Sequence, residues 1–439
     1  MALDLNRFYE ACDPTQPLRD ARYYIDFSTV RGGDIVQELE RKIARLSRHR
    51  PTTQLFTGHI GCGKSTELFR LRNSLEKQGF QVVYFESDRD LEMADVEISD
   101  ILLSIARNAS QHLETMGLGL RPNYLQSLFQ TLATTLRTPM DLSEVSFSVG
   151  IANLTATAKQ SPDMRSQLRQ YLEPRTRSIL NAINDELLIP ANERLQQRSQ
   201  QGLVVIMDNL DRIDSTPRGA RLQSEYLFVD RGEQLKQLAC HVVYTIPLEL
   251  MFSNDLVRLA NRFGINPLVL PMVPVQNRQG QTDLAGLALL QQMVMVRAFP
   301  DLNVNERIDR VTDVFDGLDT LNRLCQVSGG HMRNLVRLLD GCLRKQDPPF
   351  PQATLEAVIR TERDSLMGLI SDEEWTSLLQ AVSRQDVQGD DDYNVLVRSL
   401  FLYEYRDRQG RWFGLNPLLA ETERYRRWQQ GLSTSADKV

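Results

Sequence analysis

One stretch of the chain has residue types and spacing suited to holding phosphate. Gly58-His59-Ile60-Gly61-Cys62-Gly63-Lys64-Ser65 fits G-x-x-x-x-G-K-[ST]. Glycines let backbone N–H groups turn onto phosphate oxygens without a Cβ in the way. Lys64 is suited to bridging the β- and γ-phosphates of a nucleotide and the Ser65 hydroxyl to ligating Mg²⁺; Thr66 completes the loop. A second stretch, Leu203-Val204-Val205-Ile206-Met207, is apolar on both faces and ends in Asp208-Asn209-Leu210-Asp211-Arg212. A buried strand ending in an acid is the arrangement in which Asp208 would hold the Mg²⁺ shell. The next position, where an acid often polarises the attacking water, is Asn209. An amide oxygen orients water but takes no proton, so Asp211, or Glu86 at the end of the preceding strand, is the candidate substitute. MgATP binding is expected and hydrolysis is left open. No N-K-x-D guanine-reading motif is present, which favours ATP over GTP.

The elements that position these residues are legible around them. Gln54 to Thr57 reads as a strand, the helix after the loop carries Leu68, Leu71 and Leu75, and Gly79 precedes a strand from Gln81 to Phe85. Strand–loop–helix–strand order predicts a parallel α/β sheet. Leu203 to Met207 reads as its central strand. His241 to Ile246 and Pro267 to Leu270 are two further strands. A helix is predicted from Asp34 to Leu46. The chain from about Val96 to Gln200 is mostly helical, with a predicted β-hairpin at Val145–Ile151 and Leu154–Ala158. A long helix over Met164–Arg198 is expected to break at Pro174 and Pro190. Helices return from Asp283 to about Leu369, the run Gln291–Val296 being helix core. Two more follow at Asp372–Val382 and Tyr393–Leu400, then a hairpin over Phe401–Leu415 around Asp407–Gly410.

Composition bounds the rest. At 439 residues the chain has room for about three domains. Its net charge of −6 argues against a protein that coats nucleic acid through a strongly basic surface. Cysteines at 12, 62, 240, 325 and 342 form no CxxC and no zinc spacing, and a cytoplasmic location is expected. The five histidines are scattered, no run of 18 apolar residues occurs, and no membrane contact is expected. Cys62 lies within the phosphate loop, where bound phosphate would exclude thiol chemistry. Asp390-Asp391-Asp392 reads as a solvated loop.

Together these motifs resemble the AAA+ and STAND branch of P-loop ATPases. Within it they resemble the initiator-type (origin-recognition) subgroup and bacterial relatives with a D-[DN]-L-D-R motif, over about residues 20–420. The resemblance implies an α/β fold: a P-loop NTPase core with a parallel sheet, a helical lid and a C-terminal winged-helix-like domain. The corresponding ranges are a lead-in at 1–50, a core at 51–282 with an insert at 120–200, a lid at 283–369, a winged-helix-like region at 370–432 and a disordered tail at 433–439. It further implies a sensor role for Thr245 and an intersubunit finger for Arg262 in Asn261-Arg262-Phe263. Arg333, in Ser328-Gly329-Gly330-His331-Met332-Arg333, would contact the γ-phosphate, and Arg31 with Tyr24 would lie beside adenine.

The expected function is an ATP- and Mg²⁺-dependent molecular switch that forms a homo-oligomer through Arg262, acts with a separate effector protein, and serves bacterial defence or signalling. Two alternatives stand: an initiator-like ATPase whose winged helix binds DNA, or a scaffold that holds ATP without turning it over. Arg398, Arg406, Arg408 and Arg411 suit phosphate contacts. Residues 370–439, however, hold 9 Lys/Arg against 12 Asp/Glu, a net of −3, so DNA is not the favoured partner.

Overall fold

The structure is a computed structural model that describes residues 3–15, 20–120, 123–135, 149–150, 161–214, 217–218, 221–387 and 391–436. Compactness divides the chain differently from its linear order. One unit comprises Val36–Thr57 and Glu67–Val269; the other comprises Met1–Ile35, Gly58–Thr66 and Leu270–Val439.

The first unit is built on a five-stranded sheet. Its strands are β1 (Thr53–Gly58), β2 (Phe80–Glu86), β3 (Gly202–Asp208), β4 (His241–Thr245) and β5 (Leu268–Leu270), in the order β2-β3-β4-β1-β5. The β2–β3, β3–β4 and β4–β1 pairs are parallel. Each residue of β3 is buried, as its unbroken apolar run requires of an interior strand. β2 lies at the sheet edge and alternates: Gln81, Tyr84 and Glu86 are only partly covered. Its register pairs Phe80 with Gly202 and, six residues on, Glu86 with Asp208. Helix α1 (Lys64–Lys77) follows β1 and the glycine-rich loop, and α2 (Ile98–Thr115) buries Ile101, Leu102, Ile105 and Ala109 in the core with Leu203, Val205 and Met207. Later in the unit, α3 (Leu256–Phe263) ends on Gly264, whose left-handed backbone lets its N–H close the helix on the Ala260 carbonyl at 2.8 Å.

The expected long helix is three shorter ones: Pro162–Leu172, Thr176–Ala182 and Ile189–Gln197. Pro174 sits in a 3₁₀ turn between the first two, and Pro190 opens the third after a widened turn at Ile183–Leu188. Each proline lacks the N–H that a continuous helix would need. The predicted hairpin falls outside the described residues except at Val149 and Gly150, whose backbone is helical rather than extended.

The second unit is mainly helical. Its core joins Leu290, Val294 and Met295 of α4 (Leu284–Ala298) to Leu324 and to Leu335 and Leu338 of α5 (Met332–Leu343). Residues 292–296 are buried in it. Helices α6 (Asp372–Arg384) and α7 (Asp391–Arg398) precede an antiparallel hairpin, β6 (Leu402–Asp407) and β7 (Gly410–Leu415). Arg278 pins the hairpin tip, donating to Asp407 at 2.6 Å and to the Gly410 and Arg411 carbonyls at 3.0 Å each. The last helix, Glu423–Ala436, runs into the segment expected to be a disordered tail.

Candidate nucleotide-binding site

The glycine-rich loop leaves the C-terminal end of β1 and opens α1. Gly58, Gly61 and Gly63 all take positive φ. At Gly61 (φ +87°) a Cβ would also come within 2.8 Å of the Arg333 Cβ and 2.9 Å of His331 Nε2, so glycine is required twice over. Lys64 is buried and its Nζ donates to the carbonyls of Gly58 at 2.7 Å and His59 at 2.9 Å. Ser65 and Thr66 are partly exposed at the start of α1. Cys62 is buried with its sulfur turned to the Leu270 carbonyl at 3.7 Å.

Three other segments of the same unit grip this loop. His331 is the N-cap of α5: its Nδ1 accepts from the Asn334 N–H at 3.0 Å, so Nε2 carries the proton and donates to the Ile60 carbonyl at 2.7 Å. The Arg333 N–H donates to the Gly61 carbonyl at 3.1 Å. Buried Arg31 donates from Nη2 to the Cys62 carbonyl at 2.8 Å, its guanidinium lying 5.3 Å from the Phe27 ring centre. The resemblance placed Arg31 beside adenine; the observed bond is to the loop backbone.

The third grip comes from the hairpin. The Glu404 N–H donates to His59 Nε2 at 2.8 Å, and the Tyr403 ring stacks on His331 with centroids 5.8 Å apart. Burial pushes the His59 pKa down to about 3 and that of His331 down to about 4, while it pushes Glu404 up to about 7.

The acidic strand end belongs to the other unit. Asp208 is buried; Oδ2 accepts from the Tyr84 hydroxyl at 2.6 Å and Oδ1 from the Asn209 N–H at 2.7 Å. Thr245, at the end of β4, is fully buried and its hydroxyl accepts from the Leu210 N–H at 2.9 Å. It therefore braces the turn after Asp208. Asp211 is buried within that turn, Leu210–Arg212. Asn209 donates from Nδ2 to Asp88 Oδ1 at 3.0 Å, and Arg212 donates to Asp88 Oδ2 at 2.6 Å. Glu86, in register with Asp208, is paired with Arg89 at 2.6 Å. Arg262 lies near the end of α3; its Nε is buried without a hydrogen-bond partner among the described residues, and its Cδ lies close over Gly232.

The structure thus brings residues 58–66 together with Arg31, His331 and Arg333, and separately brings Asp208, Asn209, Asp211 and Thr245 together. Asp88, Tyr84, Arg212 and the His59–Glu404 bond were not singled out from sequence. Asp88 belongs to no motif, and its one visible signal is an acid two residues beyond Glu86 at a strand end.

No protein-family model matches the chain, and no curated protein is significantly similar to it in sequence. Solved structures do resemble its fold. The Aeropyrum pernix ORC2 protein (ADPNP–ADP complexes) is 12% identical, with 95% of each chain covered and a TM-score of 0.39. The Walker-type ATPase PABY2304 of Pyrococcus abyssi is 11% identical, with 93% of this chain and 98% of that one covered and a TM-score of 0.44. The Aeropyrum pernix ORC1 protein in complex with DNA is 12% identical, with 94% and 96% covered and a TM-score of 0.38. At such values the functional reading rests on this chain's own residues. Among the described residues, no helix is long and apolar enough to cross a membrane.

Proposed function

We propose that this chain is an AAA+-type P-loop ATPase of initiator-like kind that works as a nucleotide-dependent switch. The observation that carries the reading is the phosphate loop itself. A G-x-x-x-x-G-K-S sequence leaves the end of a buried parallel strand, takes positive φ at its glycines and opens a 14-residue helix. Backbone N–H groups and the positive end of α1 would receive the nucleotide phosphates. Lys64, now held by loop carbonyls, would turn to the β- and γ-phosphates.

Asp208 ends β3, a wholly buried strand, and an acid at that place is suited to holding the Mg²⁺ shell. The donor set fits Mg²⁺: a hydroxyl at Ser65 and a carboxylate at Asp208, both hard oxygen ligands. When bound, Mg²⁺ supplies charge neutralisation on the phosphate oxygens. Arg333 and His331 bond the loop through Gly61 and Ile60, so a shift of the loop on binding would reach the helical region directly. The switch reading follows from that coupling. A role in bacterial defence or signalling with a separate effector remains part of the proposal, resting on the D-[DN]-L-D-R resemblance.

The test is Mg²⁺-dependent ATP turnover and ATP affinity of the purified chain, with Lys64→Ala as control. Turnover and affinity should both fall in the variant, affinity by roughly tenfold or more. Equal ATP affinity in the two proteins would sink the reading. Tight binding without any turnover would instead favour the ATP-held scaffold.

A further inference from the structure

Arg41, Lys42, Arg45, Arg48 and Arg50 stand close together, with His49 among them, in a chain whose net charge is −6. After Glu40 no acid occurs until Glu67. The helix Ile35–Glu40 widens into a last turn, Arg41–Leu46, that buries Ile43 and Ala44. Arg41, Arg45, Arg48, His49 and Arg50 are exposed and Lys42 is half-buried. Arg41, Lys42, Arg45 and Arg50 make no ion pair and no side-chain hydrogen bond among the described residues, and Arg48 donates to the neutral Gln201 Oε1 at 2.6 Å. Glu40 is turned away, accepting from the Ser74 hydroxyl at 2.6 Å and from Gln78 Nε2 at 2.8 Å. Elsewhere in the same unit Arg72, Arg107, Arg212 and Arg258 each pair with a carboxylate at 2.6 to 2.8 Å. A helix C-terminus attracts cations, but its field fades beyond the last turn and leaves Arg48 and Arg50 without that explanation.

The basic segment is also held in place. The Arg50 N–H closes a turn on the Ser47 carbonyl at 2.9 Å. Thr52 is hydrogen-bonded through its hydroxyl to His241 Nδ1 at 2.9 Å, and its carbonyl accepts from the Val242 N–H at 2.8 Å. Gln201, which receives Arg48, donates its own N–H to the Gly79 carbonyl at 2.8 Å. The segment is thus fastened where β1, β2, β3 and β4 begin, and its cations need little ordering before they meet a ligand.

We propose that residues 41–50 bind the phosphate backbone of duplex nucleic acid without regard to base sequence. Four of the five cations are arginines, whose planar fork matches phosphate oxygens. The segment has no Phe, Tyr or Trp on which unpaired bases would stack, which favours a duplex over a single strand. Its apolar face, Leu39 and Ile43, is buried in the protein and Leu46 alone is an exposed large apolar side chain, which disfavours insertion into a lipid surface. The proposal does not depend on the ATPase reading: loss of Lys64-dependent turnover leaves it untouched.

The experiment uses fluorescence anisotropy of the full chain with labelled duplex DNA of two unrelated sequences, the matching duplex RNA and one single strand, across a potassium chloride series. Both DNA sequences should bind alike, with log K falling against log salt at a slope of roughly −3 to −5. The triple variant Arg41→Gln/Arg45→Gln/Arg50→Gln should weaken duplex binding at low salt at least about tenfold and flatten the slope by roughly 2 to 3. Its thermal midpoint should stay at the wild-type value, because these side chains make no internal bond. The triple lysine variant at the same positions keeps the charge and should keep most of the slope.

Failure to bind either duplex, a glutamine variant that binds as wild type, or tighter binding of the single strand would each overturn the proposal. So would duplex binding lost in Arg406→Gln/Arg408→Gln/Arg411→Gln and kept in the segment variant, which would move the contact to the hairpin. Two further results would assign the segment to another partner and overturn it as well. One is binding to phosphatidylglycerol vesicles without duplex binding. The other is a self-association, seen by sedimentation without nucleic acid, that the glutamine variant abolishes while duplex binding persists.

Discussion

Two histidines and a glutamate at the phosphate loop show how burial sets charge. In an unfolded chain histidine titrates near about 6.5 and glutamate near about 4.3. In the folded chain His59 is pushed down to about 3 and His331 to about 4, chiefly by burial. Between about pH 6.5 and pH 4 the unfolded chain therefore binds protons that the folded chain refuses. The histidines' contribution is present above about pH 6.5 and is lost as pH falls. Glu404, pushed by burial up to about 7, acts in the opposite sense: its contribution is present at low pH and is lost as pH rises towards 7. Two groups against one leave a net loss on acidification, on the order of 1 kcal/mol per pH unit. The urea midpoint of the full chain should fall from pH 6.5 to 4.5. Glu404→Gln should steepen that fall and raise the midpoint at pH 8. A flat profile in both proteins would contradict this account.

At the level of elements, the turn that starts α5 determines what reaches the phosphate loop. Gly330 has φ +72°, and a Cβ there would lie 1.7 Å from the Val273 carbonyl oxygen. The Ser328 hydroxyl accepts from the Gly330 N–H at 3.1 Å, and the Tyr405 hydroxyl donates to the Gly329 carbonyl at 2.8 Å. Hairpin, turn and α5 are thus one bonded assembly ending in the His331 and Arg333 contacts to Ile60 and Gly61. Gly330→Ala should cost about 2–3 kcal/mol and weaken ATP binding. Gly264, at the end of α3, has nearly the same φ of +71°, but a methyl there would meet nothing within 4 Å, so Gly264→Ala should cost only about 1 kcal/mol. Urea titration separates the two; equal losses would show that backbone strain rather than collision governs both sites.

For the molecule as a whole, the open question is whether one chain completes the site of another. Arg262 makes no ion pair among the described residues, and Lys236 donates to its carbonyl at 3.0 Å rather than to any partner of the guanidinium. A guanidinium kept out of internal ion pairs suits a contact made in trans. If Arg262 serves a neighbouring chain, specific ATPase activity should rise with protein concentration. Arg262→Ala should abolish that rise while leaving ATP affinity of the dilute chain unchanged. Sedimentation with and without ATP checks the assembly itself. Activity independent of concentration, and equal in wild type and variant, would exclude the finger. The hairpin arginines Arg406, Arg408 and Arg411 are exposed, so duplex binding can be tested on the same samples through its salt dependence.

The phosphate loop, its flanking strand and helix, the all-apolar β3 and the Asp407–Gly410 turn were legible from sequence because each is specified by residues close along the chain. Glycine, lysine and hydroxyl spacing, period-2 or unbroken apolar runs and a turn with Asp and Gly act over a few residues. The roles of His59, Arg31 and Asp88 were decided elsewhere. His59 meets a partner 345 residues away, and Asp88 meets Asn209 across 121. Such bonds depend on β2–β3 register and on how a hairpin packs, which no local pattern encodes. Thr245 shows both halves: its place at the end of a strand was readable, but only tertiary packing closed its hydroxyl onto the Leu210 N–H. Local covalent spacing therefore determined which chemistry the chain is equipped for. Long-range packing decided which side chains orient that chemistry, because a hydrogen bond has direction and its donor and acceptor are aligned only once the core has formed.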